Sequence, residues 1–243
     1  SLLRELDHPF VVAICQFYPK NVTNFFMVME LAAGGELLDR VSRKSEYNEQ
    51  YARDSCMALT DALDHCHRKG IVHRDLKPSN ILLASTAKDA AIKIVGFGSA
   101  CSVLDGHVIT KCLTPEFAPP EILLEKPHGQ SVDMWSLGLF CFILLSGYHP
   151  FYDMNTTKMF IRVAAGDWQF TNQVWADISE EAKDFVSQLL KVDPAKRMTA
   201  EQAAFHPWLL ATGQGLATRN LGSSLQQIKI FQAKRRLRAM IRT

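Results

Sequence analysis

With 243 residues, 47% apolar and 21% charged, the chain can bury a sizeable core as one or two domains and is too apolar for a disordered protein. The net charge of +2 hides an asymmetry: from Arg219 onward there are seven basic residues and no acidic one, leaving 20 of the 27 basic residues against all 25 acidic ones in the first 218. An acidic body without interleaved aromatics argues against nucleic acid, and the longest apolar run, Trp135 to Leu145, is too short to span a bilayer and reads as a buried core helix.

In chain order, residues 1–6 read as the last turns of a helix closed by Asp7-His8-Pro9. Phe10 to Phe17 and Asn24 to Leu31 are β-rich runs on either side of Pro19-Lys20-Asn21, which predicts a hairpin. Ala32-Ala33-Gly34-Gly35 breaks the second strand and Glu36 opens a helix, where its bland role is that of a solvated first-turn acid. Asn48 to Arg68 carries apolar residues at Tyr51, Met57, Leu59, Leu63 and Cys66, an amphipathic helix stopped at Gly70. Six scattered cysteines (15, 56, 66, 101, 112 and 141) include no Cys-x-x-Cys pair, which favours free thiols in a reducing, cytoplasmic setting over a disulfide frame or zinc site.

His73-Arg74-Asp75-Leu76-Lys77-Pro78-Ser79-Asn80 follows Ile71-Val72 and precedes Ile81-Leu82-Leu83, a predicted strand paired in sequence with Ile92 to Val95. An acid, a cation and a carboxamide thus stand within six residues of one loop. Phosphoryl transfer uses that set: a carboxylate to orient a hydroxyl, a positive charge by the moving group and a metal-binding oxygen. At the other end, Gly222-Ser223-Ser224 reads as a flexible junction before a basic amphipathic helix from Leu225 to Arg242. Such a helix suits calmodulin or a membrane surface, or is simply a solvated basic tail.

The loop at 73–80 resembles the catalytic loop of the eukaryotic protein kinases, whose pattern is H-R-D-L-x-x-x-N. Thr110-Lys111-Cys112-Leu113-Thr114-Pro115, Ala118-Pro119-Pro120-Glu121, Asp133-Met134-Trp135-Ser136-Leu137-Gly138 and the closing Asp193 to Thr199 and His206-Pro207-Trp208 runs extend the likeness over essentially the whole chain. Phe231-Gln232-Ala233-Lys234-Arg235-Arg236-Leu237 is similar to the run after the kinase domain in calcium/calmodulin-dependent relatives.

The resemblance implies an α+β, protein-kinase-like fold: a partial β-rich small lobe over 1–31, a complete, mainly helical large lobe over 32–211 and a regulatory, calmodulin-binding tail over 212–243, engaged through about 225–243. It implies ATP-dependent transfer to serine or threonine hydroxyls of a protein substrate, with catalytic Asp75, Lys77 and Asn80. Met29 would be the gatekeeper, the backbone of Glu30 and Ala32 would hold adenine, and Leu82, supported by Leu37, would form the pocket floor beside Val95. Glu36 would face ribose or a basic substrate residue. Thr110 would be either a phosphorylation site with Arg74 as its charge partner or an unmodified loop residue, and Thr114 would hold Asp75 and Lys77. Glu121 would pair with Arg197, Asp133 would cap the His73-Arg74 turn, and Leu3, Ile14, Phe97 and His73 would stack in one column.

Four departures stand out. Gly96-Phe97-Gly98 occupies the family's Asp-Phe-Gly position, so Asn80 is left as the metal ligand and Mg²⁺ binding is expected to be weak. Loss of one charge-stabilising group commonly costs roughly 3–4 kcal/mol, and Gly96→Asp is expected to raise activity. Leu113 replaces a family glycine, and Ser79 stands where many relatives have glutamate. No Gly-x-Gly-x-x-Gly or Val-Ala-x-Lys occurs, so the chain reads as a piece of a longer kinase. The rival expectation is a pseudokinase scaffold that keeps the fold and binds calmodulin or partners.

Overall fold

A computed structural model describes residues 5–19, 25–104, 106, 108, 114–171, 173–212 and 215–241. Strands β1 (Ile14–Pro19) and β2 (Phe25–Met29) form an antiparallel hairpin with Ile14 opposite Met29 and an irregularity before Gln16. The expected strand from Phe10 divides in two. Residues 10–12 leave the hairpin and run beside Ile94, with Val12 N–H donating to the Ile94 carbonyl (3.0 Å) and Ile94 N–H to that of Phe10 (2.8 Å). Buried Val11 and Val12 thereby tie the hairpin to the helical part. The helix predicted over residues 1–6 and Leu3 of the apolar column fall largely outside the described residues.

Helix α1 (Leu37–Ser42) is followed by α2 (Glu49–Arg68), whose Asn48 side chain accepts the Tyr51 N–H at 3.0 Å and whose end is turned by Gly70 at φ +69°. These are the start and stop that the sequence carried. Short strands β3 (Ile71–Val72), β4 (Ile81–Leu83), β5 (Ile92–Ile94) and β6 (Cys101–Ser102) follow, with β4 antiparallel to β5 and β3 to β6. Then come α3 (Pro120–Leu123), α4 (Ser131–Ser146), α5 (Thr156–Ala165), α6 (Glu180–Leu189), α7 (Ala200–Ala204), α8 (Pro207–Leu210), α9 (Gly215–Thr218) and α10 (Gly222–Ile241).

Every residue of α4 from Val132 to Ser146 is buried, so this helix is apolar on all sides and forms the axis on which α2, α6 and α10 pack. Each large apolar side chain so enclosed contributes about 1.5–3 kcal/mol. The carboxylate of Glu49, fully buried, accepts from Ser179 N–H (3.0 Å), the Ser179 hydroxyl and Trp208 Nε1 (2.9 Å), which joins α2 to α6 and α8. Among the described residues five cysteines are free: Cys15 is exposed, Cys101 half-buried, and Cys56, Cys66 and Cys141 buried. No described helix is long and apolar enough to cross a membrane.

Candidate active site

The loop between β3 and β4 is built on one buried carboxylate. Asp133, in the first turn of α4, accepts the His73 and Arg74 N–H groups (2.8 Å each) and faces His67 Nε2 at 2.9 Å. Burial pushes its carboxyl up, but the His67 contact and the His73 amide outweigh that and hold it below its usual range. These bonds also stabilise Arg74 at φ +65°, a left-handed conformation that a β-carbon ordinarily disfavours. His73 is fully buried, donates through Nε2 to the Val95 carbonyl (2.9 Å) and meets Phe97 edge-on at 4.5 Å between ring centres. The lower part of the expected column, Phe97 over His73 over Asp133, therefore exists, with Ile14 half-buried at the edge of the same core.

The turn thus fixed presents three groups expected to act together. The Asp75 carboxylate accepts from Lys77 Nζ (3.0 and 2.8 Å), from the Thr114 hydroxyl (2.7 Å) and from Asn80 Nδ2 (3.0 Å). Lys77 Nζ also donates to Thr114 Oγ1 at 2.7 Å, and Asn80 Nδ2 to the Asp75 carbonyl at 2.7 Å. Four polar groups thereby form one closed network. Arg74 reaches the Ser99 carbonyl through Nε (2.6 Å); Thr110 and Leu113 lie outside the described residues. Beyond the loop, Glu121 and Arg197 form the expected buried pair, bidentate at 2.7 and 3.0 Å.

The metal position differs in kind from a carboxylate site. Gly96 sits at φ +84°, and a β-carbon placed there would lie 2.6 Å from Cγ and Oδ1 of Asn80 and 2.7 Å from its Nδ2. The Asn80 carboxamide fills the space that an acidic side chain at 96 would need, and its NH₂ is spent on Asp75. One neutral oxygen stands where Mg²⁺ is usually held by one or two carboxylates together with water and substrate phosphates. The residues present do not fit a magnesium site.

The residues expected to hold nucleotide lie along the strand edges. Met29 ends β2 and is partly exposed; Leu82 is half-buried and bridges Glu36; the Val95 N–H donates to the Asn80 carbonyl at 2.9 Å. Glu30 turns its carboxylate to Lys93 (2.9 Å) and the Ala13 N–H (3.2 Å), and its own N–H donates to the Ala13 carbonyl (2.9 Å). The Glu30 carbonyl and Ala32 N–H take part in none of the backbone hydrogen bonds found among the described residues. The Lys93–Glu30 pair is invisible in the motif pattern; only the place of Lys93 opposite Leu82 in the β4–β5 register hints at it.

The tail is the larger surprise. Gly222, Ser223 and Ser224 are no junction: α10 begins at Gly222, and Leu221, Leu225, Ile228 and Gln232 form a buried stripe against α1 and α4. Arg235 Nη2 bridges both oxygens of Glu36 (2.8 and 2.7 Å), Arg236 meets Asp39 at 2.9 Å, Gln232 also bonds Asp39, and the Arg238 guanidinium lies 4.4 Å from the Tyr152 ring centre. Glu36 thus pairs with an arginine of the chain's own tail. Glu36 and Asp39, one helical turn apart before a basic tail, were the available signal for this docking. Phe231, Arg235 and Arg238 roof a cleft of about 260 Å³ whose floor includes Lys77 and Thr114.

The sequence matches the family described as "Protein kinase domain" over residues 1–209. It is 42% identical over 238 residues to calcium/calmodulin-dependent protein kinase type 1 of Macrobrachium nipponense, covering 98% of this chain and 68% of that protein. It is 38% identical to human serine/threonine-protein kinase H1 (97% of this chain, 56% of the relative) and 38% identical to mouse calcium/calmodulin-dependent protein kinase type IV (100% and 51%).

Proposed function

Because the chain belongs to the protein kinase family, as a serine/threonine kinase domain of the calcium/calmodulin-dependent type, we propose that it transfers the γ-phosphoryl group of ATP to hydroxyls of a protein substrate at the Asp75 network. The observation that carries this reading is the closed set of Asp75, Lys77, Thr114 and Asn80. Asp75 would orient the substrate hydroxyl and take its proton; Lys77 would balance negative charge beside it; Thr114 holds both in register. The Glu30 carbonyl and Ala32 N–H would bind the adenine edge, with Met29, Leu82 and Val95 flanking it. Glu36 would recognise a basic substrate residue, since it already holds an arginine.

The same reading places the protein in the cytoplasm and gives calmodulin the segment 225–243 as its target, exposed Ile230, Leu237 and Met240 being apolar groups that α10 leaves uncovered. It includes impaired activity, because Gly96 and the inward-turned Asn80 do not form a carboxylate metal seat. That one observation also favours the second reading, a pseudokinase that binds partners without efficient transfer. Incubation with γ-labelled ATP and a basic serine peptide tests the first reading. Label on the peptide, reduced about a hundredfold or more by Asp75→Asn, is the expected result; no label in the unaltered protein leaves the scaffold.

A further inference from the structure

A second polar cleft, of about 700 Å³, opens between the α1–α2 connection, the first turn of α2 and the turn joining β4 to β5. Arg43, Lys44 and Lys88 line it, and Glu46 is the single carboxylate among its lining residues. Arg40 stands behind them, its guanidinium spent on the carbonyls of Ala87 (2.8 Å) and Ser85 (3.1 Å), which fixes the turn that carries Lys88. None of these four cations has an ion-pair partner among the described residues, whereas Lys77, Lys93, Arg235 and Arg236 do. Lys44 Nζ is held 4.1 Å over the Tyr51 ring, so its position is set by the fold. Burial pushes its ammonium below the usual lysine range, and Lys88 and Arg40 push it further the same way.

Neighbouring cations that repel one another and outnumber the one carboxylate beside them are stabilised by one compact dianion that accepts from several donors at once. The cleft is much roomier than a phosphate ion, and its far wall is formed by the chain at Ala217, Thr218 and Asn220. We infer that this cleft is a docking site for a phosphorylated segment of a partner protein, the phosphoryl group received by Lys44, Lys88 and Arg43 and the flanking peptide lying in the remaining groove. The site does not use the Asp75 network and holds for an active kinase and a scaffold alike.

The test is fluorescence anisotropy of the intact chain with a labelled Gly-Ala peptide carrying one central phosphoserine, its unphosphorylated twin, and inorganic phosphate as competitor. The phosphopeptide should bind, and Lys44→Ala and Lys88→Ala should each weaken it by about tenfold, while Lys126→Ala on a distant exposed turn leaves it unchanged. A readout without variants is the rate at which acetic anhydride acylates Lys44, which the phosphopeptide should slow. Equal binding of the unphosphorylated twin, binding that survives both substitutions, or an acylation rate that does not move would each overturn the assignment. Inorganic phosphate binding as tightly as the phosphopeptide would overturn the peptide in favour of a free anion.

Discussion

At the scale of single residues, Asn80 and Gly96 decide the chemistry together. A glycine at 96 lets the carboxamide fold onto Asp75; any side chain there must push it off. Gly96→Asp is expected to create Mg²⁺-dependent nucleotide binding, read as a larger thermal shift with ATP and Mg²⁺ than with ATP alone, against equal shifts expected of the unaltered protein. Equal shifts in the variant would place the defect elsewhere. The left-handed φ of residue 96 adds a cost of about 1–2 kcal/mol to that substitution. A different residue governs acid sensitivity. Burial pushes the His149 imidazole from 6.5 down to about 4, while it bonds the Glu116 carbonyl at 2.8 Å. As pH falls through that window the unfolded chain takes up a proton that the folded one refuses. Stability present in full above pH 6.5 is lost toward pH 4, by about 3 kcal/mol. Urea midpoints across this range should fall, and His149→Gln should flatten part of the slope; buried His73, also pushed down chiefly by burial, acts in the same direction.

At the scale of elements, what could be read in the sequence divides along physical lines. The catalytic loop, α2 and the buried α4 were legible because each depends on local spacing, whereas the Glu121–Arg197 pair was legible only through the resemblance to protein kinases. The position of α10 was not legible, because docking is a contact between surfaces far apart in the chain. Even so, Gly147 makes that contact possible. It ends α4 at φ +81°, and a β-carbon there would fall 2.4 Å from Gln227 Cβ and 2.5 Å from the Ile228 nitrogen. Gly147→Val should lift α10 away, seen as faster amide exchange across 222–241 with α4 still protected; unchanged exchange would mean that the stripe at Leu225 and Ile228 suffices alone. Glu36–Arg235 and Asp39–Arg236 are partly exposed and contribute less, roughly 0.5–1 kcal/mol each.

At the scale of the whole molecule, α4 links the parts. Its first turn holds the catalytic loop through Asp133, it packs on α2 and α6, and Gly147 at its end receives the tail. The cysteines sample this arrangement at different depths. Burial pushes the Cys66 thiol up to about 12 and holds that of Cys141 well above the usual thiol range, so neither is a ready nucleophile inside the fold. Pulsed iodoacetamide followed by mass spectrometry should modify Cys15 at once, while Cys56, Cys66 and Cys141 wait, in mild urea, on one shared rate. Those three sulfurs on α2 and α4 would then serve as an internal clock for the opening of the helical lobe, and a faster rate at any one of them would reveal that the lobe comes apart in stages.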